Sequence, residues 1–171
     1  KLVPRALWWF RWGAMLTFLT GVALLAYRHT GLTYAITIGS VLGTLMFLNV
    51  WLIIWPNQKI VIASANAVAE GNDALPEAAA AAPKAALASR TNTLFSAPML
   101  FMMFASGHLS LGSNTMLAAA SGASIAAVLL IIILLEINAI FGKQGPLTSV
   151  SGVIHCGLGL TAVFYLLMAL L

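Results

Sequence analysis

The sequence predicts an all-α integral membrane protein, a bundle of about five transmembrane helices with one long connection between helices two and three. Hydrophobic residues make up 61% of the chain and charged residues only 7%, where a soluble domain carries roughly a quarter charged residues. The mean hydropathy is +1.01. The apolar residues gather into stretches near the spanning length, and no soluble core hides that much apolar surface. Backbone amides in lipid need partners within their own segment, and no apolar–polar alternation supports a barrel, so each stretch is expected as a helix.

The first span, 7–27, has Lys1, Arg5 and Arg11 at its amino-terminal end and lacks the small-residue cleavage site of a signal peptide, so it is expected to stay in the membrane. The second, 32–55, carries Gly39 and Gly43 in a GxxxG spacing and ends at Pro56, which is expected to kink or stop it. The connection 56–93 holds every acidic residue except Glu136. Its first part, Lys59 to Glu70, suits a short helix on the membrane surface, and Gly71, Asn72 and Asp73 should break it. Leu75 to Ser89 is alanine-rich but interrupted by Pro76 and Pro83, which suits short helical turns or a flexible lid. The spans 94–111, 116–141 and 147–171 complete a single transmembrane domain over 1–171, the third being the shortest. Gly152, Gly157 and Gly159 give the last one small-residue positions for close helix packing.

Charge sets the expected orientation. Lys1, Arg5, Arg11, Lys59, Lys84, Arg90 and Lys143 fall on one side of a five-span arrangement and Arg28 on the other. The positive-inside rule then puts the amino terminus and connection 56–93 in the cytoplasm and the carboxyl terminus outside, in a bacterial inner membrane. Trp8, Trp9, Trp12, Trp51 and Trp55 cluster at the same level, as an aromatic belt does. The net charge of +4 comes from scattered residues without a basic stripe, so nucleic acid is not an expected partner. The expected partners are the bilayer and other membrane subunits.

Polar groups inside hydrocarbon are costly and are functional candidates by default. Asn49, Asn92, Glu136, Asn138 and His155 lie in the expected cytoplasmic half, with Asn57 and Gln58 at the same level. One polar pocket is one reading of them, with Glu136 and His155 as its titratable pair; helix capping and loop tethering is the other. No cysteine, histidine or carboxylate cluster has metal-ligand spacing. Cys156 is the only cysteine, so the chain holds neither an internal disulfide nor a CxxCH haem attachment. His108 and His155 are candidate haem ligands on facing helices, His29 lying in the opposite connection. Counted from the expected helix starts, however, His108 and His155 sit about 21 Å and about 12 Å deep at roughly 1.5 Å per residue. Haem b therefore fits only with a ligand from another chain or from residues before Lys1. A nucleophile elbow, an HExxH motif and a P-loop are all absent from the sequence.

Residues 39 to 104 carry a more specific pattern. The run GSVLGTLMFLNVWLIIWPNQKIVIA, then an acidic, alanine-rich loop leading into SRTNTLFSAPMLFMMF, resembles the amino-terminal membrane domain of bacterial membrane-bound urate oxidases (urate hydroxylases). The residues carrying the resemblance are Asn49, Pro56, Asn57, Gln58, Lys59, Asn92, Pro98, Leu100, Phe101 and Met102, and LWWFRWGAMLTFLTGVALL resembles the family's first helix after its charged connection. It covers most of residues 7 to 110 and fades in the last two helices. The resemblance implies a membrane redox role, with urate as substrate and electrons passed to a cytochrome c domain. These residues contain no counterpart of that domain or of the family's earlier histidine-bearing helices, and Arg90, Thr91 and Asn92 stand where relatives tend to have a histidine and paired asparagines. The expected function is thus an integral membrane subunit of a respiratory or photosynthetic redox assembly, structural or cofactor-supporting. The alternative is a urate-oxidase-like enzyme that passes electrons to a cytochrome c, and a small transporter is a weaker third option.

Overall fold

A computed structural model describes residues 2–28, 31–109 and 117–171. The chain is all-α, with six helices: α1 (Leu2–Arg28), α2 (Tyr34–Leu48), α3 (Trp55–Ala69), α4 (Ala78–His108), α5 (Gly122–Phe141) and α6 (Val150–Leu170). A π-helical segment, Asn49–Ile54, joins α2 to α3, and short 3-10 turns precede α5 and α6. Among the described residues no segment forms a strand. His29, residues 110–111 at the end of the third expected span and Met116 at the start of the fourth lie outside them.

The expected end of helix two at Pro56 is not observed. The helix runs on as a single element of 36 residues, Tyr34–Ala69, about 54 Å at 1.5 Å per residue and far longer than a hydrocarbon core of about 30 Å. The π segment immediately before Pro56 gives the physical reason. Proline lacks an N–H and its ring crowds the preceding carbonyls, and widening the turn absorbs both faults without a break. Trp55 accordingly donates its N–H to the carbonyl of Val50, five residues back. Asn57 folds its side-chain amide onto the carbonyl of Ile53 at 2.7 Å.

In connection 56–93 the helix expected over Lys59 to Glu70 is present as part of α3 and breaks at Gly71 to Asp73 as expected, but the segment Leu75 to Ser89 is mostly helical too. α3 ends at Gly71, whose φ of +86° suits glycine, and Ser64 accepts the N–H of Leu75 at 3.0 Å to fasten the turn. α4 then begins at Ala78 and continues unbroken through Pro83 and Pro98. Neither short turns nor a lid forms there. Alanine drives this outcome: Ala81, Ala85 and Ala88 are buried, with side chains small enough to let α4 lie close against α3.

Among the described residues four helices are long and apolar enough to cross a membrane: Pro4–Arg28, Tyr34–Ala69, Gly122–Phe141 and Val150–Leu170. The half of α4 that carries the third expected span is less apolar because α4 is the central helix. It packs against α2, α3, α5, α6 and the π segment, so its surface meets protein more than surroundings. Tyr34, Ile38 and Leu42 of α2, Phe95 and Met102 of α4, Val128 and Ile132 of α5, and Val153 and Phe164 of α6 form the core. α1 lies at the edge, held by a Phe18–Phe47 ring stack at 4.2 Å and a Trp12–Trp51 edge contact at 5.7 Å.

Candidate functional site

Three polar residues from three helices meet inside the bundle. Asn49, the first residue of the π segment and 1% exposed, donates both hydrogens of its amide. One goes to Asn92 Oδ1 of α4 at 3.0 Å and the other to Glu136 Oε2 of α5 at 3.2 Å. Asn92 completes the set by donating its own amide to the carbonyl of Met46 at 2.9 Å. From Tyr34, His108 and Gly122, which lie at one end of the bundle, the three residues are all about 21–24 Å away at 1.5 Å per residue. The constellation therefore occupies one level, near the end that carries the basic residues.

The π segment explains why Asn49 reaches both partners. A widened turn inserts an extra residue and shifts the helical phase, which re-aims the side chains along it. An amide makes a suitable hub because its two N–H donors lie in one plane at a fixed angle, so Asn92 and Glu136 are held in a defined geometry. A carboxylate held by an amide at a half-buried position is equipped to exchange protons with a bound molecule.

The other candidates from the sequence are not drawn into this cluster. Asn138 caps the end of α5, exchanging hydrogen bonds with the backbone of Lys143 at 3.3 and 3.4 Å. Asn57 serves its own helix. Gln58 is half-buried, and Lys59 is exposed with its ammonium 5.8 Å from the Trp55 ring. Pro56 acts through the backbone.

His155 is exposed and its Nδ1 contacts Ser151, at 2.7 Å from the carbonyl and 3.2 Å from the hydroxyl. His108 is exposed at the far end of α4, stacked on Phe104 at 4.5 Å. Gly157 packs on Leu94 and Phe101 on Tyr165, so α4 and α6 run parallel. In that register His155 lies level with Asn92 and about 24 Å along the bundle from His108. The separation exceeds the one expected from sequence because Gly157, not Leu147, lies level with Leu94, which shifts α6 along α4 by about ten residues. One iron cannot take both imidazoles of this chain.

Two clefts lie elsewhere. One of about 320 Å³ runs between α1 and α2 along Leu25, Thr37, Ser40, Val41 and Thr44. A smaller polar one sits by Tyr34, Ser124 and Met168, where the Tyr34 hydroxyl meets Ser124 at 3.1 Å. Neither touches the Asn49 cluster.

A bundle of membrane-length helices with a polar hub in its interior defines an all-α integral membrane protein. A family model described as urate oxidase N-terminal matches residues 27–144, well over half of the chain, and the chain belongs to that family. The match begins after most of α1 and extends through α5, further than the resemblance read from residues 7 to 110. It includes Asn49, Asn92 and Glu136 and leaves out α6 with His155. No curated protein matches the chain, and no solved structure does.

Proposed function

We propose that the chain is the membrane part of a urate-oxidase-like enzyme, with the Asn49–Asn92–Glu136 constellation as its working centre and a cytochrome c as electron acceptor. The observation carrying this reading is that the polar hub joining the π segment, α4 and α5 through side chains alone has all three of its residues inside the family match. Oxidation of urate releases protons together with electrons. In this scheme Glu136 takes a proton from the bound substrate, Asn49 fixes its carboxylate, and Asn92 anchors Asn49 to α4. The basic end of the bundle faces the cytoplasm of a bacterial inner membrane, following the asymmetry of Lys and Arg.

The test uses the full chain in detergent with urate and ferricytochrome c, following urate loss and cytochrome reduction together. Glu136→Gln is expected to lower kcat by about a hundredfold or more, the range for loss of a positioned proton acceptor. Asn49→Ala should lower kcat while leaving KM nearly unchanged. Absence of urate loss in the wild-type protein with several acceptors would refute the reading, and full activity in Glu136→Gln would move the centre elsewhere.

A second reading, a structural or cofactor-supporting subunit of a redox assembly, is favoured by α1. None of the most apolar part of this helix is buried inside the chain, and most of it lies outside the family match, so it is free to pack on another subunit. Stable copurification of further membrane chains without urate turnover is the result that selects it.

A further inference from the structure

Arg11 of α1 stands among indoles. Its guanidinium carbon is 4.0 Å from the ring centroid of Trp55, 5.0 Å from that of Trp51 and 5.7 Å from that of Trp12. Among the described residues these rings are its only partners. Arg11 Nε and Trp51 Nε1 are both buried without a hydrogen-bond acceptor. The Lys59 ammonium approaches the same Trp55 ring at 5.8 Å. Two cations thus share one indole while the chain's four acidic residues, Glu70, Asp73, Glu77 and Glu136, lie elsewhere.

Cation–π contact stabilises a guanidinium through its faces and leaves the in-plane N–H donors unused. A cation with unmet donors near hydrocarbon is costly, and a second cation close by raises that cost. An oxyanion removes both penalties, accepting hydrogen bonds from the planar fork and neutralising the pair. Arg11 lies about 26 Å along α1 from Arg28 at 1.5 Å per residue, close to one boundary of a hydrocarbon core of about 30 Å. Lipid phosphates occupy that depth, and tryptophans favour it. The exposed Trp8 and Trp9 continue the aromatic surface along α1.

We propose that Arg11, walled by Trp12, Trp51 and Trp55 and assisted by Lys59, is a binding site for a phosphate oxyanion at the membrane boundary, whose occupant seals α1 to the π segment and α3. The proposal does not rest on urate turnover, and the site shares no side chain with the Asn49–Asn92–Glu136 constellation.

The full chain, stripped of lipid in a neutral detergent, is titrated separately with phosphatidylglycerol, phosphatidylcholine and inorganic phosphate, following tryptophan fluorescence and thermal midpoint. A saturable response to phosphatidylglycerol that phosphatidylcholine does not match, weakened about tenfold in Arg11→Gln, supports the site and identifies a lipid source. An equal response to inorganic phosphate, lost in the same variant, supports the site with a soluble source. Arg11→Lys keeps the charge without the fork and should fall between the two proteins, which keeps the test valid if Arg11→Gln fails to fold. Equal responses of wild type and Arg11→Lys to every ligand, or equal responses to the anionic and zwitterionic lipids, would overturn the proposal.

Discussion

Asn49 illustrates how one side chain holds three helices at one level. Replacing it with alanine strips a hydrogen-bond donor from both half-buried partners, Asn92 and Glu136, at a cost of about 1–3 kcal/mol. Asn57→Ala removes only a bond to its own helix, with an expected cost below about 1 kcal/mol. Thermal unfolding of both variants in one detergent checks the ranking, and equal losses would show that the interhelical hub adds nothing. Asn49 and Asn92 were legible in the sequence as intramembrane polar residues. Their grouping with Glu136 in one pocket was one of two readings, but the exclusion of Asn138 and His155 was not legible, because sequence depth gives level along an axis and nothing about rotation around it.

Among the helices, glycine spacing proved less informative than glycine contacts. A Cβ built on Gly39 meets Met103 Cγ at 3.1 Å, whereas Gly43, its partner in the GxxxG spacing, faces nothing within 4 Å. Likewise a Cβ built on Gly157 meets the carbonyl oxygen of Leu94 at 3.2 Å while Gly159 is open. Pro98 deprives that Leu94 carbonyl of its usual donor four residues on, and the bare backbone of Gly157 covers it. Gly157→Leu should therefore cost about 1–3 kcal/mol by overpacking, while Gly43→Ala and Gly159→Ala stay near neutral. A comparison of their thermal midpoints decides the matter, and a neutral Gly157→Leu would contradict the close α4–α6 approach. The proline signals misled in a similar way. Pro56 read as a kink or stop and Pro83 as an interruption, yet a widened turn at Pro56 and tertiary packing along α4 carry each helix through.

For the whole molecule, five crossings with a helical hairpin of α3 and the first half of α4 at one end predict opposite sides for the hairpin tip and the carboxyl terminus. In a Cys156→Ser background, Asp73→Cys and Leu171→Cys can each be labelled in intact cells with an impermeant maleimide. Leu171→Cys is expected to react and Asp73→Cys to be protected until the cells are permeabilised. Reaction of both sites would mean an even number of crossings, with α4 not among them.

Sequence alone determined the class of fold, the approximate level of each span and the family, because hydropathy over about 20 residues and the PNQK neighbourhood are properties of the linear chain. Tertiary structure alone decided which helix is central, which polar residues meet and that proline would not interrupt the helices. Those outcomes depend on the azimuth of each side chain and on neighbours able to compensate a lost backbone bond. Helix packing in a membrane sets both through close van der Waals contact, which composition does not encode.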